Sequence, residues 1–251
     1  MLTDPVTTII PTLNDGSKLL RAIQSVAQQQ NILPGPIIVV DNGSSDGSIA
    51  QVASLTSETV RLISCGTRGA AAARNAGLNL VTTPIVAFLD ADDVWHPDHL
   101  ASAADALRRR SKPALYAGSA RGLDEQGNLL WVSQPDRIGS PWGAKVLGRN
   151  RIVTSAVVIN GAPFCARFPA LEQVEDLGLW LRLFREGFSL VAGSHPTVDY
   201  TVSPPRYLDS VRRRNEWMLY RELRTSHPVG FGQHVMMVFA LSLNHLLSRI
   251  L

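Results

Sequence analysis

The sequence predicts an α/β fold with a mostly parallel sheet flanked by helices, and three observations carry that prediction. Short apolar, β-branched runs alternate with helical patterns as far as Leu100. Each run ends in a cluster of polar, turn-forming residues. The chain of 251 residues is 45% apolar and 18% charged, long enough for one sizeable core and too apolar for a disordered or fibrous chain.

The elements follow in order. Val6-Thr7-Thr8-Ile9-Ile10 reads as a buried strand stopped by Pro11. Asn14, Asp15 and Ser17 offer helix caps, and Leu19, Ile23 and Val26 then recur at helical spacing. Ile37-Ile38-Val39-Val40 is a second strand, closed by Asp41-Asn42-Gly43-Ser44. A helix from Ser45 or Asp46 carries Ile49, Val52 and Leu55. Val60 to Ile63 is a third strand, Ala70 to Leu80 an Ala-rich helix, and Ile85 to Leu89 a fourth strand. Strand and helix in this rhythm imply parallel strands joined by right-handed crossovers.

Beyond Leu100 the rhythm loosens. Leu115 to Ala120 and Leu129 to Val132 flank a hairpin turn at Asp124-Glu125-Gln126-Gly127-Asn128. Val153 to Ile159 reads as a strand, and Asp176 to Glu186 as a helix with Leu179, Trp180, Leu183 and Phe184 on one face. This mixed half is expected to extend the sheet and supply a second binding face.

Charge and cysteine usage narrow the function classes. Cys65 and Cys165 are too few and too distant for a disulfide framework or a zinc site, so a reducing compartment is expected. The start Met1-Leu2-Thr3-Asp4-Pro5 has no basic n-region and no apolar run of leader type, so no secretory signal is expected. The basic residues are nearly all arginine, and six of them lie between Arg206 and Arg224 against Asp209, Glu216 and Glu222. They are not interleaved with stacking aromatics, which argues against nucleic acid as a partner and for a solvated face or one leaning on anionic lipid. Thr225 to Ser248 has no charged residue other than histidine, but only Val235 to Leu247 is densely apolar. That stretch reads first as a buried or dimer-facing helix and second as an interfacial membrane helix.

The chemistry gathers where ligands of parallel α/β sheets bind, beyond the carboxyl ends of the strands. Strand one runs into Pro11-Thr12-Leu13-Asn14, strand two into Asp41-Asn42-Gly43-Ser44-Ser45-Asp46, and strand four into Asp90-Ala91-Asp92-Asp93. The last triplet is the most specific signal. Three carboxylates within four positions repel one another unless a cation or hydrogen-bond donors neutralise them. They are hard oxygen ligands suited to Mg²⁺ or Mn²⁺ on a diphosphate, although a capped helix start would explain the triplet taken alone. Arg68-Gly69-Ala70-Ala71-Ala72-Ala73-Arg74-Asn75 places small residues for close ligand approach beside the Arg74 fork. Glu175 and Asp176 open a helix, where acids complement its dipole or, at the rim of a site, deprotonate a hydroxyl.

Taken in order, Thr8 to Asn14, Ile38 to Asp46, Gly69 to Gly77, Phe88 to Trp95 and Glu175 to Leu183 resemble the family 2 glycosyltransferases, inverting enzymes of the GT-A fold. The resemblance covers about Val6 to Val202 and is densest before Leu100. It implies a Rossmann-like sheet in a domain spanning residues 1–204, divided near residue 100 into nucleotide-binding and acceptor halves, with a helical extension over 205–251. It further implies that Pro11, Thr12, Asn14, Asp41, Gly69, Arg74, Asp90 and Ala91 bind the nucleotide. Asp92, with Asp90, would hold the divalent metal (Mn²⁺ or Mg²⁺), and Asp93 would support that site. Asp176 would be the catalytic base and Glu175 an acceptor-orienting residue.

The implied donor is a nucleotide-diphospho-sugar, a UDP-sugar first. The implied acceptor is a glycan or glycolipid, the setting surface-glycan or glycolipid synthesis, and the location cytoplasmic, at or near the inner face of a membrane. Homodimerisation through the C-terminal helices is left open. Two departures from the pattern stand out. Gly178 occupies a position where the family often has an acid, and Asp199-Tyr200-Thr201-Val202-Ser203-Pro204 lacks the histidine many members carry. His195 reads as a loop residue. These departures motivate a second reading, a non-catalytic sugar-nucleotide-binding or scaffolding relative within a polysaccharide assembly complex.

Overall fold

Alternate residues of β1 (Val6–Thr12) serve opposite sides of one sheet: Ile9 joins one hydrophobic core and Ile10 the other. The same division holds in β2 (Ile37–Asp41), where Ile38 and Val40 face one core and Ile37 and Val39 the second. Both faces are covered, so these strands are apolar at every position rather than at every other one. The computed structural model describes residues 5–32, 35–108, 110, 113–138, 150–161, 166–202 and 214–221. Lys112, Lys145, Cys165, the Thr225 to Ser248 stretch and most of the Arg206 to Arg224 cluster fall outside these residues.

The second core is closed by α1 (Gly16–Ala27), α2 (Ser48–Ala53) and α4 (His99–Arg108), through Leu19, Ile23, Val52, Leu100 and Leu107 among others. The first is closed by α3 (Ala70–Leu78) and α5 (Glu175–Arg185). Helix α3 approaches β1 closely at Gly77, where a Cβ would fall 2.7 Å from Cγ2 of Ile9. Gly77 therefore sets the height of α3 above the sheet.

Among the described residues the sheet has nine strands. Besides β1 and β2 they are β3 (Val60–Ser64), β4 (Ile85–Phe88), β5 (Val94–Trp95), β6 (Ala114–Leu123), β7 (Leu129–Val132), β8 (Val157–Asn160) and β9 (Ser189–Thr201). Their order is β3-β2-β1-β4-β8-β6-β9-β5, with β7 paired to β6. The β3-β2-β1-β4 portion is parallel throughout. Strand β8 then enters antiparallel between β4 and β6, while β6 and β9 run parallel and β5 and β7 antiparallel to their partners. The order reverses between β1 and β4, which opens a crevice at their carboxyl ends.

Three local readings change. Pro11 does not end β1, which pairs with β2 as far as Thr12 and Asp41. Thr8 and Thr12 bond toward β2 and Ile9 toward β4, so position 11 aims its missing N–H at the β4 side, where pairing has already stopped. Val153 to Ile159 is not one strand: Thr154–Ala156 forms a 3₁₀ turn before β8 begins at Val157. His195 lies within β9 and not in a loop, with its ring 3.0 Å from the Asp98 carboxylate.

Candidate functional site

At the crevice between β1 and β4 lies an open cavity of about 300 Å³. Pro11, Thr12, Leu13 and Asp15 at the end of β1 line it, together with Asn42 just past β2, Arg68 and Gly69 just before α3, Ala70, Ala73 and Arg74 of α3, and Asp90, Ala91 and Asp92 past β4. Residues far apart in the chain thus meet at one sheet edge. Of the residues assigned to the nucleotide, Asn14 and Asp41 do not line the cavity. Asn14 (φ 60°) joins the two neighbouring loops, its N–H donating to Ser44 Oγ at 3.0 Å and its Oδ1 accepting the Ser45 N–H at 2.7 Å. Asp41 is buried and accepts the Ser44 N–H at 2.9 Å.

Two residues that sequence reasoning did not assign shape this cavity. Asn42 is buried and uses both ends of its amide: Nδ2 donates to the carbonyls of Thr67 (2.7 Å) and Cys65 (3.3 Å), and Oδ1 accepts the Gly69 N–H at 2.7 Å. The loop after β3 is therefore fastened to the end of β2. Gly69 itself has φ +111° and ψ 148°, a conformation open to glycine and strained for side chains that carry a Cβ. Asp15 accepts the Thr12 hydroxyl at 2.8 Å and the Leu13 N–H at 2.9 Å, which fixes the turn after β1.

Carboxylates crowd the far wall. Burial, then the Asp90 and Asp15 carboxylates, push Asp92 up to about 6. Asp93 is driven well above its ordinary value by burial and by Asp90 and Asp92, but it does not face the cavity. It is an inner brace. Its carboxylate accepts the Ser155 hydroxyl and the Thr201 N–H, and Ser155 Oγ in turn accepts the Asp90 N–H at 3.0 Å. This use of Ser155, and of its carbonyl by the Trp95 indole at 2.6 Å, accompanies the 3₁₀ turn that interrupts the expected strand.

Opposite the acids sits Arg74, 5% exposed, with its planar fork spent on two carboxylates. Nη2 lies 2.6 Å from Asp90 Oδ1 and Nη1 3.1 Å from Glu175 Oε1, and the guanidinium stands 5.3 Å from the Phe168 ring centre. Burial opposes its charge, and Asp90 and Glu175, with Asp176 behind them, outweigh that and hold its pKa above the ordinary value. Arg74 thus ties the cavity's carboxylate wall to the first turn of α5. A direct contact between Arg74 and a phosphate would require one of these two carboxylates to be released.

Asp176, in the same turn, accepts the Asn150 side-chain amide at 3.0 Å through Oδ2 and the Leu177 N–H at 2.6 Å through Oδ1. Gly178 has a packing reason: a Cβ there would fall 2.4 Å from Cγ of Pro169, so the helix has no room for an acid at this position. No histidine lies in the segment Asp199 to Pro204, yet His96 reaches Asp199 across the sheet, Nε2 to Oδ1 3.0 Å, alongside Arg121 at 2.7 Å.

Asp90 and Asp92 bring hard oxygen donors to a cavity whose Arg74 guanidinium is already paired, a donor set that suits a divalent cation carried with an anionic ligand. Among the described residues no cluster of three or more His, Cys, Asp or Glu side chains is positioned to hold a metal by itself. Diphosphate and water oxygens would have to complete the coordination. No helix among the described residues is long and apolar enough to cross a membrane.

The sheet order and the cavity at its switch point define a fold of GT-A type. Residues 7–173 match glycosyl transferase family 2, and the chain belongs to that family. It is 36% identical over 133 residues to the succinoglycan biosynthesis protein ExoO of Rhizobium meliloti, covering 53% of this chain but only 35% of ExoO. The chain thus spans about a third of that relative. Among solved structures it superposes on S. aureus TarS 1-349 in complex with UDP with a TM-score of 0.69 at 16% identity, covering 94% of this chain and 69% of the other. It superposes on the mannosyltransferase PcManGT of Pyrobaculum calidifontis, in complex with GDP-Man and Mn²⁺, with a TM-score of 0.66 at 19% identity, covering 94% and 68%.

Proposed function

We propose that this chain is a metal-dependent, inverting glycosyltransferase that moves a sugar from a nucleotide-diphospho-sugar to an acceptor hydroxyl in surface-glycan synthesis. The observation that supports it best is the Arg74 bridge, which holds the carboxylate wall of the cavity and the first turn of α5 in one assembly. A donor site and a candidate base are thereby kept in fixed relation. We take residues 1–204 as the catalytic domain and 205–251 as its extension.

In this reading Pro11 and Thr12 flank the nucleoside, Asp41 backs its base through the loop it fastens, and Asn42 and Gly69 shape the cavity beside Arg74. Asp90 lies by the ribose, with Ala91 leaving room beside it, and Asp92, with Asp90, would hold the divalent cation. When bound there, Mn²⁺ or Mg²⁺ supplies charge neutralisation to the departing diphosphate. Asp176 takes the proton of the acceptor hydroxyl, the hydroxyl oxygen bonds to the anomeric carbon, and the carbon–oxygen bond to the diphosphate breaks on the opposite face. The electron pair leaves with the nucleoside diphosphate, and the configuration inverts. Glu175, held by Arg74, keeps the first turn of α5 in place. UDP in TarS and Mn²⁺ with GDP-Man in PcManGT support a nucleotide donor with a divalent ion. ExoO, a biosynthesis protein for succinoglycan, supports a glycan setting.

The test is nucleotide release from UDP-, GDP-, CMP- and dTDP-sugars with Mn²⁺, on the parent protein and on Asp176→Asn. Release by the parent from one donor, lost in the variant while that donor still binds, is the expected result. Equal release by both proteins would remove Asp176 from the base role.

A further inference from the structure

Strand β7 lies off the main path of the sheet, paired to β6, and all four of its residues are exposed. Trp131 among them has a fixed seat. It pairs in register with Gly122, where a Cβ would fall 2.2 Å from its indole Cε2, so the ring lies across a residue that has no side chain. Tyr200 of β9 packs against it, ring centres 5.5 Å apart. Trp131 is nevertheless 38% exposed as a residue. An aromatic ring seated over a glycine and partly open to solvent is a surface for the C–H face of a sugar ring.

The open side borders a cleft of about 240 Å³. Beyond Trp131 the cleft is lined by Gln134, Asn150, Arg151 and the apolar Val132 and Ile152. Asn150 connects it to the chemistry: its Nδ2 donates to Asp176 Oδ2 at 3.0 Å, and its Oδ1 is held by the Ile152 N–H at 3.0 Å. Its neighbour Arg151 is partly exposed. Arg74 and Arg121 both have carboxylate partners, whereas no carboxylate of the described residues pairs with Arg151. A guanidinium with its fork unspent suits a carboxylate or phosphate.

We infer that this cleft is the seat of the acceptor, and that the acceptor is a saccharide carrying an anionic group. The sugar ring rests on Trp131, its acidic substituent meets Arg151, and Gln134 offers an amide to its hydroxyls. Asn150 is then a positioning residue, turning the Asp176 carboxylate from the cleft wall. The inference rests on the glycosyltransferase reading above, which supplies the need for an acceptor seat.

The experiment uses the full chain with UDP and Mn²⁺ present and follows sugar binding by saturation-transfer NMR. The probes are methyl β-D-glucoside, methyl β-D-glucuronide and glucose 6-phosphate. The expected result is that an acidic probe binds about tenfold more tightly than the neutral glucoside, as one charge-assisted fork would give. The tighter of the two acidic probes tells carboxylate from phosphate. Arg151→Ala should erase that preference, and Trp131→Ala should weaken all three probes about fivefold. UDP binding by each variant reports that it is folded. If Trp131→Ala fails that check, Arg151→Ala decides alone. No detectable binding of either acidic probe, or binding that neither variant changes, overturns the inference. If the parent binds no nucleotide-sugar at all, the glycosyltransferase reading falls instead.

Discussion

Replacing Arg74 by methionine isolates the contact that joins the two halves of the site. The side chain is 6% exposed and its two bridges measure 2.6 and 3.1 Å, so its removal strands two carboxylates in a largely dry setting. Breaking a buried ion pair costs about 3–5 kcal/mol. Asp90 retains 26% and Glu175 17% of its side-chain exposure, so water relieves part of that cost. The expected loss is at the lower end, about 3 kcal/mol, of which the Phe168 contact contributes about 0.5–1 kcal/mol. In a chain of this length that lowers Tm by roughly 6–12 °C. The assay is urea unfolding of the parent, Arg74→Met, and Arg74→Met with Glu175→Gln. Neutralising one stranded acid should return about 1–2 kcal/mol. A loss below about 1 kcal/mol, or no recovery in the double variant, would refute the claim that paired charge and not packing holds α5 to the donor wall.

Three further outcomes are expected. Asn42→Ala leaves the Gly69 N–H and two carbonyls without their partner, so it should cost about 1–3 kcal/mol in urea unfolding and weaken UDP binding in calorimetry. Gly69→Ala places a Cβ on a backbone at φ +111° with open space around it, so about 1–3 kcal/mol of strain should appear in Tm without any steric clash. Asp92, raised to about 6 by burial and by Asp90 and Asp15, binds a cation only when ionised. The affinity for Mn²⁺ with UDP should therefore fall as pH drops through about 6 and level off above it. The sign for stability is opposite, because the folded state binds the extra proton between the ordinary carboxylate pKa and about 6. In that window the contribution of Asp92 to metal-free stability declines as pH rises, which a pH series of urea midpoints would read.

The first half of the fold was legible because its strands are buried on both faces. Ile37 to Val40 is apolar at every position, since neighbouring residues serve two different cores. The polar strand ends were legible for a related reason: a parallel sheet delivers Pro11, Thr12, Asp90 and Asp92 to the same edge. Local pattern carried less information where long-range contacts decide the outcome. Val153 to Ile159 has strand composition, yet Ser155 is engaged by Asp90, Asp93 and Trp95 from sixty or more positions away, and the chain turns there. Asn42 and Asp15 sit inside turn-like clusters where any polar residue looks alike. Their roles appear only when the partners at Thr67, Gly69 and Thr12 are in place. That the Arg74 fork, which lines the cavity, also holds Glu175 a hundred residues on is announced by nothing near it in sequence.

The central claim is that a nucleotide with a divalent cation occupies the cavity between Thr12, Gly69 and Asp92. The most direct measurement is a thermal-shift titration of UDP with and without Mn²⁺, on the parent and on Asp92→Asn, since a ligand that binds only the folded state must raise its stability. At a ligand concentration about a hundredfold above Kd, stabilisation of about 2.7 kcal/mol is expected. For the parent this is a rise of several degrees that requires Mn²⁺ and disappears in Asp92→Asn. A rise of equal size without Mn²⁺, or one that survives in Asp92→Asn, would contradict the account.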